Sequence, residues 1–253
     1  PDDLDIDLYW VESLRALVSD VYVNLKLSLK LDLPRDRENV PEFFDRVRRQ
    51  YPTMAELKRY RDELALETAG GGDVPYRWLA VRSKNIRAGV VNPEEWASAH
   101  ALHEHVLEVA PYFLSISSLD IESVEVLFGV DLLSAGNHDE VVFDALVAGT
   151  PLANLMDGDA FVSDCQPVLS WSVGAGAGVE VQYEVKTRLH GESGGSQPEP
   201  LSVYLTCRHV GPIGELSELV RVYRSLSSLG ERLVSDRVIP HLVMPIRESI
   251  VAG

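Results

Sequence analysis

Cysteine is scarce, with Cys165 and Cys207 the only two in 253 residues. Two are too few for a disulfide scaffold and lie too far apart for a zinc knuckle, so both read as buried free thiols. Basic residues are also in deficit: 23 Lys and Arg stand against 39 Asp and Glu, a formal net charge of −16. That charge repels phosphate backbones and argues against general nucleic-acid binding. No run approaches the ~20 apolar residues that cross a bilayer. The opening, Pro1 to Asp7, is acidic where a signal peptide is basic and then apolar. The expectation is a soluble cytoplasmic protein with no membrane partner.

Reaction motifs are missing as well. Gly174-Ala-Gly176-Ala-Gly178 lacks the Lys-Ser or Lys-Thr of a phosphate loop and runs into strand-like residues, so it reads as a hairpin turn. Gly191 to Pro200 reads as a hairpin loop. Asp2, Asp3, Asp5 and Asp7 lack the glycine and terminal glutamate of a calcium loop. No serine sits in a nucleophile elbow, and Cys207 with His209 shares only a strand face. No catalytic residue and no cofactor is assigned.

What the chain does contain is a repeat. Residues 21–53 moved forward by 99 positions fall on residues 120–152. Leu25, Leu27, Leu29, Leu31 and Leu33 land on Val124, Val126, Phe128, Val130 and Leu132; Phe44, Asp45, Val47 and Pro52 land on Phe143, Asp144, Leu146 and Pro151. An internal repeat governs the topology and is read before the fold. With 45% hydrophobic residues the chain can bury a substantial core.

Val21 to Leu33 alternate with Tyr22, Asn24, Lys26, Ser28, Lys30 and Asp32, the period of two of a strand with one buried face. After a turn at Pro34 to Asp36, Asn39 caps a short helix that buries Phe43, Phe44 and Val47 and ends at Tyr51-Pro52. Leu57 to Thr68, Tyr76 to Val81 and Asn85 to Val91 read as a three-stranded meander with turns at Gly70 to Asp73 and Ser83-Lys84. Asn92-Pro93-Glu94-Glu95 opens a helix to about Phe113, with Trp96, Ala99, His103, Val106, Ala110 and Phe113 on one stripe. The second copy repeats the order: strand Glu122 to Leu133, cap Asn137, helix Asp139 to Ala148, strands near 168–173, 179–189 and 201–209, and a long helix from about Gly214. Pro240 and Pro245 mark a C-terminal extension in which Val243 to Ile250 forms a separate short helix or arm.

The fold class expected is therefore α+β. Two pseudo-repeated β-α-β-β-β-α units (19–119 and 120–236) join antiparallel sheets packed on long helices, between an acidic segment (1–18) and an extension (237–253). The element order is similar in topology to TATA-binding-protein-like and helix-grip folds, which implies nothing about binding DNA. The alternating opening strand with its Phe43-Phe44 helix, the Asn92-Pro93-Glu94-Glu95-Trp96 helix start, the strand Ser123-Val124-Glu125-Val126-Leu127-Phe128 and the late Leu233-Val234-Ser235-Asp236 also resemble a sporadically distributed family of uncharacterised bacterial proteins of about this length. That resemblance implies no catalytic residue.

Two clusters invite chemistry. His100, His103 and Glu104 have the three- and four-residue helical spacing that can converge on a metal ion; the alternative is a buried His103 in the apolar stripe and an exposed His105. Between Arg46 and Arg87 ten Lys or Arg face five acids. Arg46, Arg49, Arg59, Arg61, Arg82 and Lys84 could bind an acidic partner, a nucleotide or nucleic acid, or form a solvated face paired with nearby carboxylates. The leading expectation is a non-enzymatic binding or assembly protein that recognises a protein partner or small ligand on a curved sheet or inter-unit groove, with homo-oligomerisation possible. The rivals are a metal-assisted hydrolase using His100, His103 and Glu104, and nucleic-acid or nucleotide binding through residues 46–87.

Overall fold

The two long alternating strands lie side by side. In a computed structural model that describes residues 14, 17–33, 39–70, 75–157, 160–174, 178–187 and 200–252, β1 (Asp20–Leu29) pairs antiparallel with β6 (Ile121–Leu132), placing Leu25 opposite Val126 and Val23 opposite Phe128. Burial of Val21, Val23, Leu25, Leu27 and Leu29 alternates with half-exposure of Tyr22, Asn24, Lys26 and Ser28. Each fully buried aliphatic side chain here contributes on the order of 1.5–3 kcal/mol. The strand stops at Leu29 instead of continuing to Leu33, because the register slips after Ser28 and the chain turns so that Lys30 N–H donates to the Asp120 carbonyl and Leu33 N–H to that of Ser83. Leu31 is left exposed.

Among the described residues nine strands form one sheet in the order β2-β3-β4-β5-β1-β6-β9-β8-β7, every pairing antiparallel. The remaining strands are β2 (Met54–Arg59), β3 (Leu64–Thr68), β4 (Tyr76–Val81), β5 (Asn85–Val91), β7 (Val168–Val173), β8 (Val179–Lys186) and β9 (Leu201–Val210). The first stretch thus has four meander strands, not three. The polar run Tyr60-Arg61-Asp62-Glu63 folds back as a turn closed by Tyr60 N–H donating to the Glu63 carbonyl, so Leu57 to Thr68 is a hairpin.

The described residues also form the α-helices α1 (Asn39–Gln50), α2 (Trp96–Phe113), α3 (His138–Leu146), α4 (Leu219–Leu233) and α5 (Met244–Ala252). Helix α2 lies against β1 and β5, α4 lies against β6 and β9, and the two pack on each other over the Phe128 face of the sheet. Phe128 is the hinge point of that packing. Its ring meets Trp96 edge-on with centroids 5.6 Å apart, and Gly230 of α4 sits so close that an added Cβ would lie 2.1 Å from the Phe128 Cε2. A ten-residue π-helical stretch, Val234–Val243, leads from α4 to α5. It contains Pro240, whose missing N–H an α-helical interior would leave as a gap in the ladder.

Asn92 does not cap α2, which starts after Glu95. Asn92 adopts a left-handed backbone (φ 51°), accepts from the Val21 N–H and donates to the Asp20 carboxylate, tying the end of β5 to the start of β1. Asn137 does cap α3, accepting from the Asp139 N–H at 3.0 Å. Among the described residues no helix is long and apolar enough to cross a membrane.

Candidate functional site

Where α2 crosses α4, four polar side chains form a chain of short hydrogen bonds inside the apolar layer. The Glu231 carboxylate lies 2.6 Å from His100 Nε2, His100 Nδ1 lies 2.6 Å from the Tyr223 hydroxyl, and that hydroxyl lies 2.7 Å from His103 Nδ1. Tyr223 and His103 are fully buried. Donor bookkeeping sets a direction. A carboxylate only accepts, so His100 donates through Nε2, and the Tyr223 hydroxyl bridges Nδ1 of His100 and Nδ1 of His103. His103 Nε2 is buried on the side of the Ala88 backbone. Burial drives the His103 pKa well below the usual histidine value, with His100 nearby adding to the effect, and drives the Tyr223 phenol well above its own.

The histidines predicted to share a metal are therefore brought together, but on a tyrosine hydroxyl. Glu104 turns outward to the guanidinium of Arg224, which donates Nε–H at 2.8 Å and Nη2–H at 2.7 Å. Among the described residues no group of three or more His, Cys, Asp or Glu is placed to hold a metal ion. His105, expected at the surface, is buried beside Tyr51 and near Arg46 because α1 packs over that side of α2, and burial lowers its pKa. Cys207 is fully buried and its thiol is pushed up to about 12 by burial; Cys165 is half-buried, and burial likewise raises its pKa.

The six basic candidates divide. Arg59, Arg61 and Arg82 line one recess of ≈ 400 Å³ with Asp62 and Glu63, Lys84 sits in the adjoining β4–β5 turn, and Arg46 and Arg49 are on α1. Glu63 takes Arg82 (2.7 Å) and Arg87 together, and these partners hold its carboxyl below the ordinary range against the opposing effect of burial. Part of the basic run is thus paired with its own acids. Glu67 is likewise saturated, accepting from Lys58 at 2.6 Å, Tyr60 at 2.9 Å and Tyr76 at 2.6 Å.

The face of the sheet opposite the long helices was not legible as a site. Its cross-strand registers line up side chains in rows. One row runs Lys58, Ala65, Ala80, Arg87, Lys26, Glu125, Arg208, Glu180, Ser172 from one edge to the other. The next runs Glu67, Trp78, Gly89, Asn24, Leu127, Thr206, Gln182, Ser170. Gly89 is required there, since an added Cβ would stand 2.1 Å from the Asn24 Oδ1 and 2.5 Å from the Trp78 Nε1. Arg208 is held in place by Glu125, to which it donates through Nε at 2.7 Å and Nη2 at 2.6 Å, and Glu180 lies 3.9 Å away.

On the β7–β9 part of this face is a recess of ≈ 220 Å³ whose side chains are Ser170, Ser172, Glu180, Gln182, Thr206 and Arg208. It gathers three hydroxyls, a carboxamide, a carboxylate and a pre-positioned guanidinium. Period-two alternation announces that one strand face is polar, but only the register between strands far apart in sequence brings these six together. The acidic residues Asp2 to Asp7, the turns at Pro34 to Asp36 and Gly71 to Asp73, Ala175 to Ala177 and Gly191 to Glu199 lie outside the described residues. Compared with known protein families and with curated protein sequences, the chain matches none.

Proposed function

We propose that the chain is a binding or assembly protein whose recognition surface is the open face of its sheet, centred on the β7–β9 recess, and whose ligand is a small polar molecule or a protein segment carrying an acidic group. The observation that carries this reading is the convergence of Ser170, Ser172, Glu180, Gln182, Thr206 and Arg208 on one recess that opens on the face away from the long helices among the described residues. An Arg already fixed by Glu125 loses little side-chain freedom on taking a second partner, and charge-assisted hydrogen bonds from it are the strong kind.

The duplicated architecture belongs to the same reading. The strand order away from the central pair runs β5-β4-β3 on one side and β9-β8-β7 on the other. Lys26 and Glu125, which the 99-residue offset equates, are direct cross-strand partners, so a two-fold relation would pass through them. Arg87 beside Lys26 then answers to Arg208 beside Glu125. TATA-binding-protein-like or helix-grip topology and membership of the sporadically distributed bacterial family are carried as part of this proposal.

The test is a panel of small carboxylates, amino acids, sugars, nucleotides and short peptides screened by ligand-observed NMR. Any ligand found is expected to bind Arg208→Ala about tenfold or more weaker, from the loss of a charge-assisted bond. Ser170→Trp, which fills the recess from an exposed position and leaves the Glu125 pair intact, is expected to abolish binding. Arg61→Ala is expected to change nothing. Ligands indifferent to both recess variants would sink the proposal.

A further inference from the structure

The two ends of the sheet differ in kind. The β2 edge is guarded by Glu56, Lys58 and Arg59, the charged residues that discourage strand addition. The β7 edge reads Val-Leu-Ser-Trp-Ser-Val, and between Phe161 and Val179 the sequence has a single charged residue, Asp164. Val168 and Leu169 are 56% and 62% exposed, and β7 pairs with β8 alone among the described strands.

The ladder shows which backbone groups face outward. The Pro167 carbonyl accepts from the Val185 N–H at 3.0 Å, in register with Val168 opposite Glu184. Antiparallel residues alternate between pointing both polar groups at the partner strand and pointing both away. Pro167, Leu169, Trp171 and Val173 therefore address β8, while Val168, Ser170 and Ser172 present to the edge N–H and C=O groups that no described strand takes.

We propose that β7 pairs antiparallel with β7 of a second copy of this chain about a two-fold axis at Ser170. In that register Ser170 faces Ser170, Val168 faces Ser172, and every outward N–H and C=O of the three residues finds a partner. On the opposite face the exposed Leu169 meets Trp171 of the second copy, an aliphatic–aromatic cross-strand pair. The occupant is a second copy, because this strand carries no charge to repel another chain of net charge −16 and is complementary to itself. The charged β2 edge then stops growth at a closed dimer. The axis would lie beside Ser170 and Ser172, so the two recesses would adjoin across the seam; the dimer does not depend on what the recess binds.

Sedimentation velocity on the full chain tests this. At on the order of 100 µM the expected species has twice the 28.0 kDa chain mass. Ser170→Pro removes an N–H that faces away from β8, breaking one bond on each side of the axis, and is expected to weaken the dimer about tenfold or more. Leu169→Lys, at an exposed position that tolerates charge in the monomer, is expected to do the same while the thermal melting of the monomer stays unchanged. A wild-type chain that stays monomeric at this concentration overturns the proposal, as does a dimer indifferent to both substitutions.

Discussion

Gly230→Ala is expected to destabilise the protein by about 3 kcal/mol or more in urea denaturation, although the same change inside an exposed helix gains roughly 1 kcal/mol. The sign reverses because the added methyl has no room. Its Cβ would stand 2.1 Å from Cε2 of Phe128 and 2.9 Å from Cδ2 and Cζ. The Phe128 ring cannot withdraw, being buried and wedged edge-on against Trp96, with His100 on another side. The substitution must therefore lift α4 from β6 or force the ring off its rotamer. Phe128→Leu in the Gly230→Ala background should recover part of the loss, giving a coupling energy of about 1–3 kcal/mol in a double-mutant cycle. A neutral or stabilising Gly230→Ala would show that α4 does not approach the sheet this closely.

The second large effect concerns the hydrogen-bonded chain between the long helices. Tyr223→Phe keeps the ring and its burial but leaves Nδ1 of both His100 and His103 without its hydrogen-bonding partner. At about 1–3 kcal/mol for each of the two buried groups left unpaired, a total loss of roughly 2–6 kcal/mol is expected. The same geometry makes stability depend on pH. Both His103 and His105 have folded-state pKa values lowered chiefly by burial, so below the unfolded value of about 6.5 the unfolded chain binds more protons. Stability should be fully present above that pH and fall as pH drops through 6.5, by at most about 1.4 kcal/mol per pH unit for each histidine. Glu63 and Glu67, whose carboxyls are lowered, add to the loss only below the ordinary Glu range near 4.5. Replacing His103 with Phe should make the slope between pH 6.5 and 5.5 shallower, by about half a proton at the upper end and nearly one at the lower. Denaturant midpoints that are flat from pH 7.5 to 5.5 in the wild type would contradict the buried, neutral assignment.

How much of this was readable from sequence follows from the range of the interactions involved. The alternation Val21 to Leu33 and its echo Glu122 to Leu133 mark the two strands that pair at the centre of the sheet, with the first ending four residues early, since burial of one face leaves a period of two in the residues themselves. The α2 stripe through Trp96, Ala99, His103, Val106 and Ala110 was legible for the corresponding helical reason. The Tyr60 to Glu63 turn was not, because it contains neither glycine nor proline and its closure rests on one backbone bond. Asn92 was misassigned because asparagine before Pro93 fits both a helix cap and a left-handed corner; only the contact with Val21 and Asp20, some seventy residues away, separates them. His100, His103 and Glu104 were singled out by spacing on one helix, yet their partners Tyr223, Arg224 and Glu231 come from the other half of the chain. The recess residues needed still more, namely the registers of β7, β8 and β9.

The most direct test of recognition on the open face is an amide chemical-shift titration of the isotope-labelled protein with a ligand found in the screen. Shifts are expected to cluster at Ser170, Ser172, Gln182, Thr206 and Arg208, with α2 and α4 unmoved. Shifts clustering instead around His100 and Tyr223, or around Arg59, Arg61 and Arg82, would contradict the account and move the site to the helix pair or to the basic recess.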